Sequence, residues 1–285
     1  GRTLLTMTMT AKNVPYKDGF GPFAPEIYRA PLAYPFRWPT GPDHCAMEAL
    51  NALEDLVVKQ IGAHNTAAIV IEPIQGEGGV RPISKGFAVA IERVCERTGT
   101  LLIADEIQCG LGRTGAPFYF QTLGLTPDLV TVGKALGAGV PVGAALISED
   151  VASKVMPGDH GTTYGGNLLA TRAALVVLEQ LMDHGLLAQV ERTGRHFEAA
   201  LKALAAAHPV ITEVRGAGLM RGLQLAVDAT PVVAGAMARG LIVNRTDERV
   251  VRLLPPYTVT TDDIDAAVAT LGAVLAELPA EAKTQ

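Results

Sequence analysis

Apolar runs and amphipathic stretches alternate through the middle of the chain. Ser84 would cap one amphipathic helix, at residues 84–98. The apolar run at residues 67–74 predicts a strand buried on both faces of a sheet, and the mostly apolar runs at 100–107, 128–136 and 142–148 predict three further strands. Strands that alternate with helices are typical of an α/β fold with a mostly parallel sheet.

The C-terminal part has a different pattern. Residues 165–182 predict a long apolar helix, of the kind that joins domains or lies at a subunit interface. The elements after it predict a smaller α+β domain: an amphipathic helix at 187–208, strands within 214–227, 240–245 and 250–259, and a final helix from Thr261. We therefore predict a large domain over residues 1–182 and a small C-terminal domain over 183–285.

The N-terminal stretch is less regular. Residues 2–10 alternate threonine with apolar side chains and predict a strand, whereas residues 46–62 predict a helix. Residues 11–45 are rich in Pro, Gly and aromatic side chains and predict a long irregular segment. Because the sequence opens at Gly1 with nothing typical of the start of a domain, we expect it to be the C-terminal part of a longer protein.

Charge and composition narrow the classes of function. The formal net charge is −5 and no basic run occurs, which disfavours nucleic acid and anionic membranes as partners. No apolar stretch approaches the roughly 20 residues of a membrane span, and no signal peptide is visible. The three cysteines are too scattered for a disulfide framework, and we expect reduced thiols in a cytoplasmic protein.

Polar side chains follow the predicted strands. The first strand carries Glu72 at its end, with Glu77 in the loop that follows. The second strand ends at Asp105, with Gln108 three residues on, and the third leads into Lys134. In open α/β sheets, ligands bind outside the carboxyl ends of the strands. We expect these side chains to converge on one pocket.

The residues alone leave the chemistry of this pocket open. A carboxylate at the end of a buried strand needs a partner, and Asp105 could be structural, ligate a metal or hold a cation. No histidine lies near it in the sequence, so we predict no metal site. Lys134 is a surface lysine or, if desolvated, an amine nucleophile that reacts with carbonyl compounds. Pyridoxal phosphate (PLP) would satisfy both residues, because it has a protonated ring nitrogen and an aldehyde.

Four motifs carry a family resemblance: IVIEPIQGEGG, LLIADEIQCGLGRTG, PDLVTVGKALGAGVPVGA and HGTTYGGNLLA. In order and approximate spacing they resemble the class III (ω-amino) PLP-dependent aminotransferases. The resemblance covers essentially the whole chain and implies PLP fold type I. In that family a glycine-rich phosphate loop and a ring-stacking aromatic lie upstream of the region that this sequence covers.

The resemblance also implies roles for individual residues. Lys134 is similar to the Schiff-base lysine that moves the proton, and Asp105 to the partner of the pyridine nitrogen. Gln108 would bind the 3-hydroxyl side of the cofactor, and Ile107 would pack on its ring. Thr163, with Thr162 beside it, would reach the phosphate from the neighbouring subunit, which implies a homodimer with shared active sites.

Three further residues are similar to substrate-binding positions. Arg252 resembles the arginine that binds the α-carboxylate, and Glu77 resembles the gate that pairs with it when that carboxylate is absent. Arg2 resembles an arginine that contacts the distal carboxylate of the substrate. Guanidinium groups suit both carboxylate sites because they bind in a bidentate way.

Two subgroups of this family, which differ in their amino donor, are candidates for the chain. The C-terminal stretches VRGAGLMRGLQL and GLIVNRTDERVVRLLPP resemble acetylornithine aminotransferases, whereas the N-terminal stretch resembles 4-aminobutyrate aminotransferases. The longer resemblance favours acetylornithine as donor and 2-oxoglutarate as acceptor. A non-catalytic dimerisation module and a PLP aminomutase or decarboxylase are alternatives from other classes.

For Glu106, the residue after Asp105, the sequence predicts a structural role. Adjacent side chains of a strand point to opposite faces, so Glu106 should point away from the pocket. We expect it to form a structural ion pair, with Arg113 as the partner. Cys109, close by, is expected to be a small packing residue.

Overall fold

The structure is a computed structural model that describes residues 1–278. The chain divides into two compact units, Gly1–Gly62 and a second unit that begins at Ala63. The predicted boundary between a large and a small domain, at residue 182, falls inside the second unit and stays a prediction.

The first unit begins with helix α1, Leu4–Met9, so the strand predicted over residues 2–10 is wrong. Threonine alternation fits a strand, but each hydroxyl can also donate to a carbonyl four residues back in a helix. Thr8 donates to the carbonyl of Leu4 over 2.7 Å in this way. The alternation of threonine with apolar residues is therefore compatible with a helix as well as with a strand.

The rest of the first unit follows the prediction. Residues 11–34 form neither helix nor strand, and a single 3₁₀ turn follows at Pro35–Arg37. Helix α2, Pro42–Glu54, then continues as a π-helix over Asp55–Ile61. The predicted helix over 46–62 is confirmed, with an earlier start because Pro42 suits the first turn of a helix.

The second unit alternates strands and helices as predicted. Its strands are β1 Ala68–Ile71, β2 Ile74–Gln75, β3 Arg81–Pro82, β4 Leu101–Asp105, β5 Leu129–Val132, β6 Ala144–Ile147, β7 Ile211–Ala217, β8 Met220–Leu225, β9 Asn244–Arg245 and β10 Val250–Leu253. Its helices are α3 Lys85–Thr98, α4 Tyr119–Leu123, α5 Glu149–Ala152, α6 Leu168–Met182, α7 Leu186–Ala207, α8 Thr230–Ala238 and α9 Thr261–Ala276. The Ser84 hydroxyl accepts the N–H of Phe87 and caps α3, which confirms that prediction.

The first sheet has the order β1-β4-β5-β6. The pairs β1–β4 and β4–β5 are parallel and β5–β6 is antiparallel, so the sheet is mostly parallel. One expectation about it is wrong: β1 is not buried on both faces, because it lies at an edge and Val70 is 46% exposed. The parallel strands direct their carboxyl ends, including Asp105, to one edge.

The second sheet is antiparallel, in the order β7-β8-β10-β9. All six residues of β8 are buried. Side chains from α7, α8 and α9 form its core with strand residues such as Leu223 and Val251. β10 ends at Leu253, short of the predicted residue 259, because Pro255 and Pro256 follow and a proline cannot donate to a strand ladder. This sheet confirms the predicted α+β part.

A short hairpin lies between β1 and α3. β2 and β3 pair antiparallel, with Ile74 opposite Pro82 and Gln75 opposite Arg81. Glu77 lies in its turn, and we call residues 74–82 the Glu77 hairpin. The predicted strand at 67–74 is therefore two strands, because the chain leaves the sheet after Ile71.

The helices of the chain lie between Leu4 and Ala276 and vary in length and polarity. Among residues 1–278, none is both long enough and apolar enough to span a membrane.

Candidate active site

A cavity of about 310 Å³ lies in the second unit. It is lined by Glu77, Ile107, Gln108, Arg113, Lys134, Ala135, Arg252, Leu254 and Tyr257. Strand ends of the first sheet and β10 with the segment after it both contribute to this lining. Of the strand-end residues expected to converge, Glu77, Gln108 and Lys134 line this cavity, whereas Glu72 and Asp105 do not. Ile107 and Arg252, which the resemblance implied, line it as well.

Lys134 begins a 3₁₀ turn, Lys134–Gly137, directly after β5. Its φ of +42° lies in the left-handed region, which is uncommon for a residue with a Cβ. Such strain persists only where the surroundings enforce it, and it is concentrated at functional sites. The residue before it, Gly133, packs closely: a Cβ there would lie 3.1 Å from Cδ1 of Ile107. The backbone thus presents the lysine at the mouth of the cavity.

Asp105 ends β4, next to the cavity lining. Its Oδ1 accepts the backbone N–H of Ile107 over 3.0 Å, and Ile107 itself lines the cavity. In the sheet register Asp105 lies opposite Thr131 of β5. The hydroxyl of Thr131 is buried and has no hydrogen-bond partner among residues 1–278. This end of the sheet therefore holds polar groups that the described chain does not fully satisfy.

Arg252 joins the two sheets across the cavity. Its Nη1 donates to Oε1 of Glu77 and, over 3.3 Å, to Oε1 of Gln108. The Arg252 side chain is 12% exposed and that of Glu77 48%. The structure brings together the two residues expected to form a gate, but their role in gating stays a prediction.

Glu72, which the sequence predicts at the pocket without a chemical role, lies beside the residues of this site but is not part of the cavity lining. It follows β1, whose last residue, Ile71, lies opposite Ala104, so Glu72 is next to Asp105 in the register. Burial raises the pKa of the Glu72 carboxyl and Asp105 raises it further, whereas the N–H of Gly76 and the charge of Lys134 lower it. Its position at the end of the first predicted strand is the signal that predicts it near the pocket.

Arg113 and Tyr257 are two further lining residues that the sequence did not place here. The Arg113 guanidinium lies 4.2 Å from the centre of the Tyr257 ring and donates to the carbonyl of Pro255. The Tyr257 hydroxyl donates to the carbonyl of Leu111 over 2.8 Å. These contacts fix the segment after β10, and hence one wall of the cavity.

The predicted ion pair between Glu106 and Arg113 is wrong. Glu106 is 1% exposed and accepts the backbone N–H of Phe120 over 2.7 Å, in the first turn of α4. The thiol of Cys109 donates to its other oxygen over 3.2 Å. Helix N-termini carry unpaired N–H groups and favour negative charge, which explains this choice of partner. Cys109 is buried, as expected of a packing residue.

Among the predicted site residues of the second unit, three do not line the cavity: Asp105, which lies next to the lining, and Thr162 and Thr163. Thr162 and Thr163 are exposed, in the segment before α6, where the Thr162 hydroxyl accepts the N–H of Gly165 over 3.2 Å. Arg2 belongs to the first unit, where its guanidinium lies 4.5 Å from the centre of the Tyr16 ring. Their cofactor and substrate contacts stay predictions.

Comparison with known proteins identifies the class. A profile of the class-III aminotransferase family matches residues 1–275. The chain belongs to the class-III aminotransferases, a family of PLP-dependent enzymes of fold type I.

Individual relatives carry more specific names. The chain is 42% identical to an acetylornithine aminotransferase of Thermosynechococcus vestitus, over 98% of this chain and 65% of the relative. It is 39% identical to the acetylornithine aminotransferase of Methanocaldococcus jannaschii, over the same shares. The chain thus spans about 65% of the length of these curated relatives.

Solved structures agree on the fold. An ornithine aminotransferase from Toxoplasma gondii, described with partial occupancy of PLP at its active site, superposes with a TM-score of 0.84 at 31% identity. That match covers 100% of this chain and 63% of the other. A PLP-bound amine transaminase from an uncultivated Pseudomonas species gives a TM-score of 0.89 at 28% identity, over 98% of this chain and 68% of the other.

Proposed function

We propose that the protein transfers a terminal amino group to 2-oxoglutarate with PLP as cofactor, and that the donor is acetylornithine. The observation that carries this proposal is the composition of the cavity. A lysine amine, an amide and a guanidinium paired with a replaceable carboxylate all face the same space. The names of relatives near 40% identity support the choice of donor.

The residues present fit PLP. Lys134 offers an amine for the aldehyde, Gln108 an amide for the ring hydroxyl, and Asp105 a carboxylate for the ring nitrogen. The buried Thr131 hydroxyl and the buried Nε of Arg252 have no partner among residues 1–278, as expected where a polar ligand belongs. When bound, PLP supplies a carbonyl that captures amines and a ring that accepts electron density from the reacting carbon.

Lys134 would hold the cofactor and act as the base. Its amine would remove the proton from the donor carbon that bears the nitrogen, since one group near the reacting atom can serve as acid and base in turn. Asp105 would keep the ring nitrogen protonated through charge, and Ile107 would exclude water from that face. The donor leaves as a semialdehyde, and 2-oxoglutarate leaves as glutamate.

Arg252 and Glu77 would let one cavity accept two kinds of substrate. An ω-amine enters without a carboxylate next to the reacting carbon, and Glu77 then neutralises Arg252. A 2-oxo acid carries such a carboxylate, which would displace Glu77 and bind the guanidinium in a bidentate way. A buried guanidinium would otherwise be left unpaired in one half-reaction, at considerable cost.

We also propose a homodimer in which Thr162 and Thr163 reach the cofactor phosphate of the partner subunit. Both threonines are exposed, and Tyr164 and Leu168 beside them are 81% and 88% exposed. Large apolar side chains that are this exposed, beside the two threonines, are the kind that a subunit interface would cover.

The test of the cofactor role is to replace Lys134 in the complete protein. We expect Lys134→Ala to abolish transamination and the absorbance of lysine-bound PLP. Borohydride reduction of the wild type should leave a PLP adduct on the peptide that contains Lys134. Lys154→Ala, at an exposed lysine outside the cavity, is the control and should behave as wild type. An adduct on another lysine, or turnover by Lys134→Ala, would contradict the assignment.

The donor is tested separately, with acetylornithine and 4-aminobutyrate, each with 2-oxoglutarate. We expect a higher kcat/KM for acetylornithine. Equal or better turnover of 4-aminobutyrate would select the second candidate, which the N-terminal stretch resembles. Absence of any PLP absorbance would instead favour a non-catalytic module.

A further inference from the structure

The backbone of the Glu77 hairpin is held by a side chain from the turn between β9 and β10. The Thr246 hydroxyl donates to the carbonyl of Glu77 over 2.8 Å and approaches the carbonyl of Gly76 at 3.4 Å. Thr246 follows β9, is 2% exposed, and donates its own N–H to the carbonyl of Val250. A buried hydroxyl thus contacts the residue whose carboxylate pairs with Arg252.

A second contact holds the far side of the same turn. Nε of Arg215, in β7, donates to the carbonyls of Gly79 and Val80 over 2.7 and 3.1 Å. Arg215 is 6% exposed and its Nη1 also donates to Glu213 and Gln224. Val80 has a φ of +53°, which a β-branched residue keeps only where its surroundings enforce it.

A third contact closes the hairpin. Nη2 of Arg81, in β3, lies 2.7 Å from Oδ2 of Asp247, the residue after Thr246. The hairpin is therefore bonded at Gly76–Glu77, at Gly79–Val80 and at Arg81. Arg215 belongs to the antiparallel sheet that supplies Arg252, and Thr246 and Asp247 lie in the turn between its strands β9 and β10.

We infer that Thr246 is a positioning residue that fixes the backbone of Glu77 relative to Arg252, so that the gate opens by rotation of the Glu77 side chain alone. This inference rests on the proposed function, because it assigns a consequence to the Glu77–Arg252 pair. Because its backbone is fixed, the Glu77 carboxylate binds Arg252 with a constant affinity, and an incoming carboxylate must compete against that affinity. Thr246 thereby sets the balance between the two kinds of substrate.

Because Glu77 and a carboxylate ligand compete for Arg252, loss of the Thr246 hydroxyl should affect the two half-reactions in opposite directions. If the Thr246 hydroxyl is lost, Glu77 pairs less well with Arg252. A carboxylate ligand then binds Arg252 more tightly, because its competitor is weaker. An ω-amine donor reacts less well, because it relies on Glu77 to neutralise the guanidinium. A general loss of packing would impair both half-reactions alike.

The experiment compares Thr246→Val with wild type in the complete protein loaded with PLP. Glutarate, a dicarboxylate with neither amine nor ketone, probes Arg252 by spectral titration without turnover. The single-turnover rate with acetylornithine and the Michaelis constant for 2-oxoglutarate measure the two half-reactions. Thr246→Ser keeps the donor and serves as the rescue. Thr193→Val is the matched control, because Thr193 is a 6% exposed threonine whose hydroxyl donates to the carbonyl of Gln189, away from the hairpin.

We expect Thr246→Val to tighten glutarate binding about three- to five-fold, the effect of one net hydrogen bond. The Michaelis constant for 2-oxoglutarate should not rise, and the donor rate should fall by a similar factor. Thr246→Ser and Thr193→Val should resemble wild type. If Thr246→Val does not fold, Thr246→Ala removes the same donor without added bulk and should show the same directions.

Unchanged or weaker glutarate binding in Thr246→Val or Thr246→Ala would overturn the inference, as would equal losses in both half-reactions. The failure of the proposed function looks different. In that case wild type loaded with PLP catalyses neither half-reaction, while the glutarate titration of the loaded protein still measures the pairing of Glu77 with Arg252.

Discussion

At the residue scale, two adjacent carboxylates at the end of β4 have different surroundings. The strand alternation predicted that Asp105 and Glu106 would point to opposite faces, and the structure places only Asp105 beside the cavity lining. The partner of Glu106 could not be predicted, because α4 begins 13 residues later in the chain (119 − 106) and reaches Glu106 only through the fold. Sequence pattern gives the direction of a side chain more readily than its long-range contacts.

The buried carboxyl of Glu106 predicts a specific dependence of stability on pH. Burial raises its pKa above the usual value of 4.5. Above pH 4.5 the folded chain therefore holds a proton that the unfolded chain has released, and the unfolding free energy falls as the pH rises through the raised pKa. We expect Glu106→Gln to remove this fall, which amounts to at most about 1.4 kcal/mol per pH unit.

The measurement is urea unfolding from pH 4.5 to 8 for wild type and Glu106→Gln. The difference in unfolding free energy between the two should shift in favour of the variant as pH rises. Glu96→Gln, at an exposed glutamate of α3, should run parallel to wild type. A constant difference between wild type and Glu106→Gln over this range would show that the carboxyl does not titrate as argued.

At the element scale, the helices that begin at a capping side chain could be predicted from the sequence, because the cap is a local signal. Ser84 caps α3, and Thr260 with Asp263 caps α9, where the predicted start at Thr261 is confirmed. The antiparallel pairing of β6 could not be predicted locally, because the apolar pattern of a strand is the same whether it pairs parallel or antiparallel. The attachments of the Glu77 hairpin to Arg215 and Thr246 were invisible for the same reason: they join segments more than 130 residues apart.

The cap of α3 predicts a measurable loss of stability. Its hydroxyl accepts the N–H of Phe87, and α3 buries five residues against the core. Ser84→Ala should lower the unfolding free energy by about 1 kcal/mol. Ser148→Ala is the matched control, since Ser148 caps α5, a four-residue helix with no buried residue. Thermal and urea unfolding should show a clear loss only for Ser84→Ala. Equal losses would mean that the cap does not act through the packing of its helix.

At the scale of the whole molecule, α6 has two unlike faces. One face packs on the first sheet through Leu181, in a cluster with Leu136 and Val132. The other leaves Leu168 and Leu169 88% and 72% exposed. The sequence predicted a helix for a domain junction or a subunit interface, and the position of Thr163 just before it favours the second role. Shared active sites would then depend on this face.

The apolar face of α6 predicts that charge placed there will separate the subunits. Burying a leucine side chain contributes about 1.5–3 kcal/mol, and a two-fold interface would bury each substituted position twice. We expect Leu168→Glu with Leu169→Glu to weaken dimerisation of the complete protein by at least about 100-fold, as measured by sedimentation. PLP affinity should fall with it, because Thr162 and Thr163 would no longer reach the partner's cofactor. Ile242→Glu, at a position 85% exposed in the C-terminal part, should leave both unchanged. A double variant that stays dimeric would place the interface elsewhere, and one that is monomeric with full PLP affinity would remove the threonines from the cofactor site.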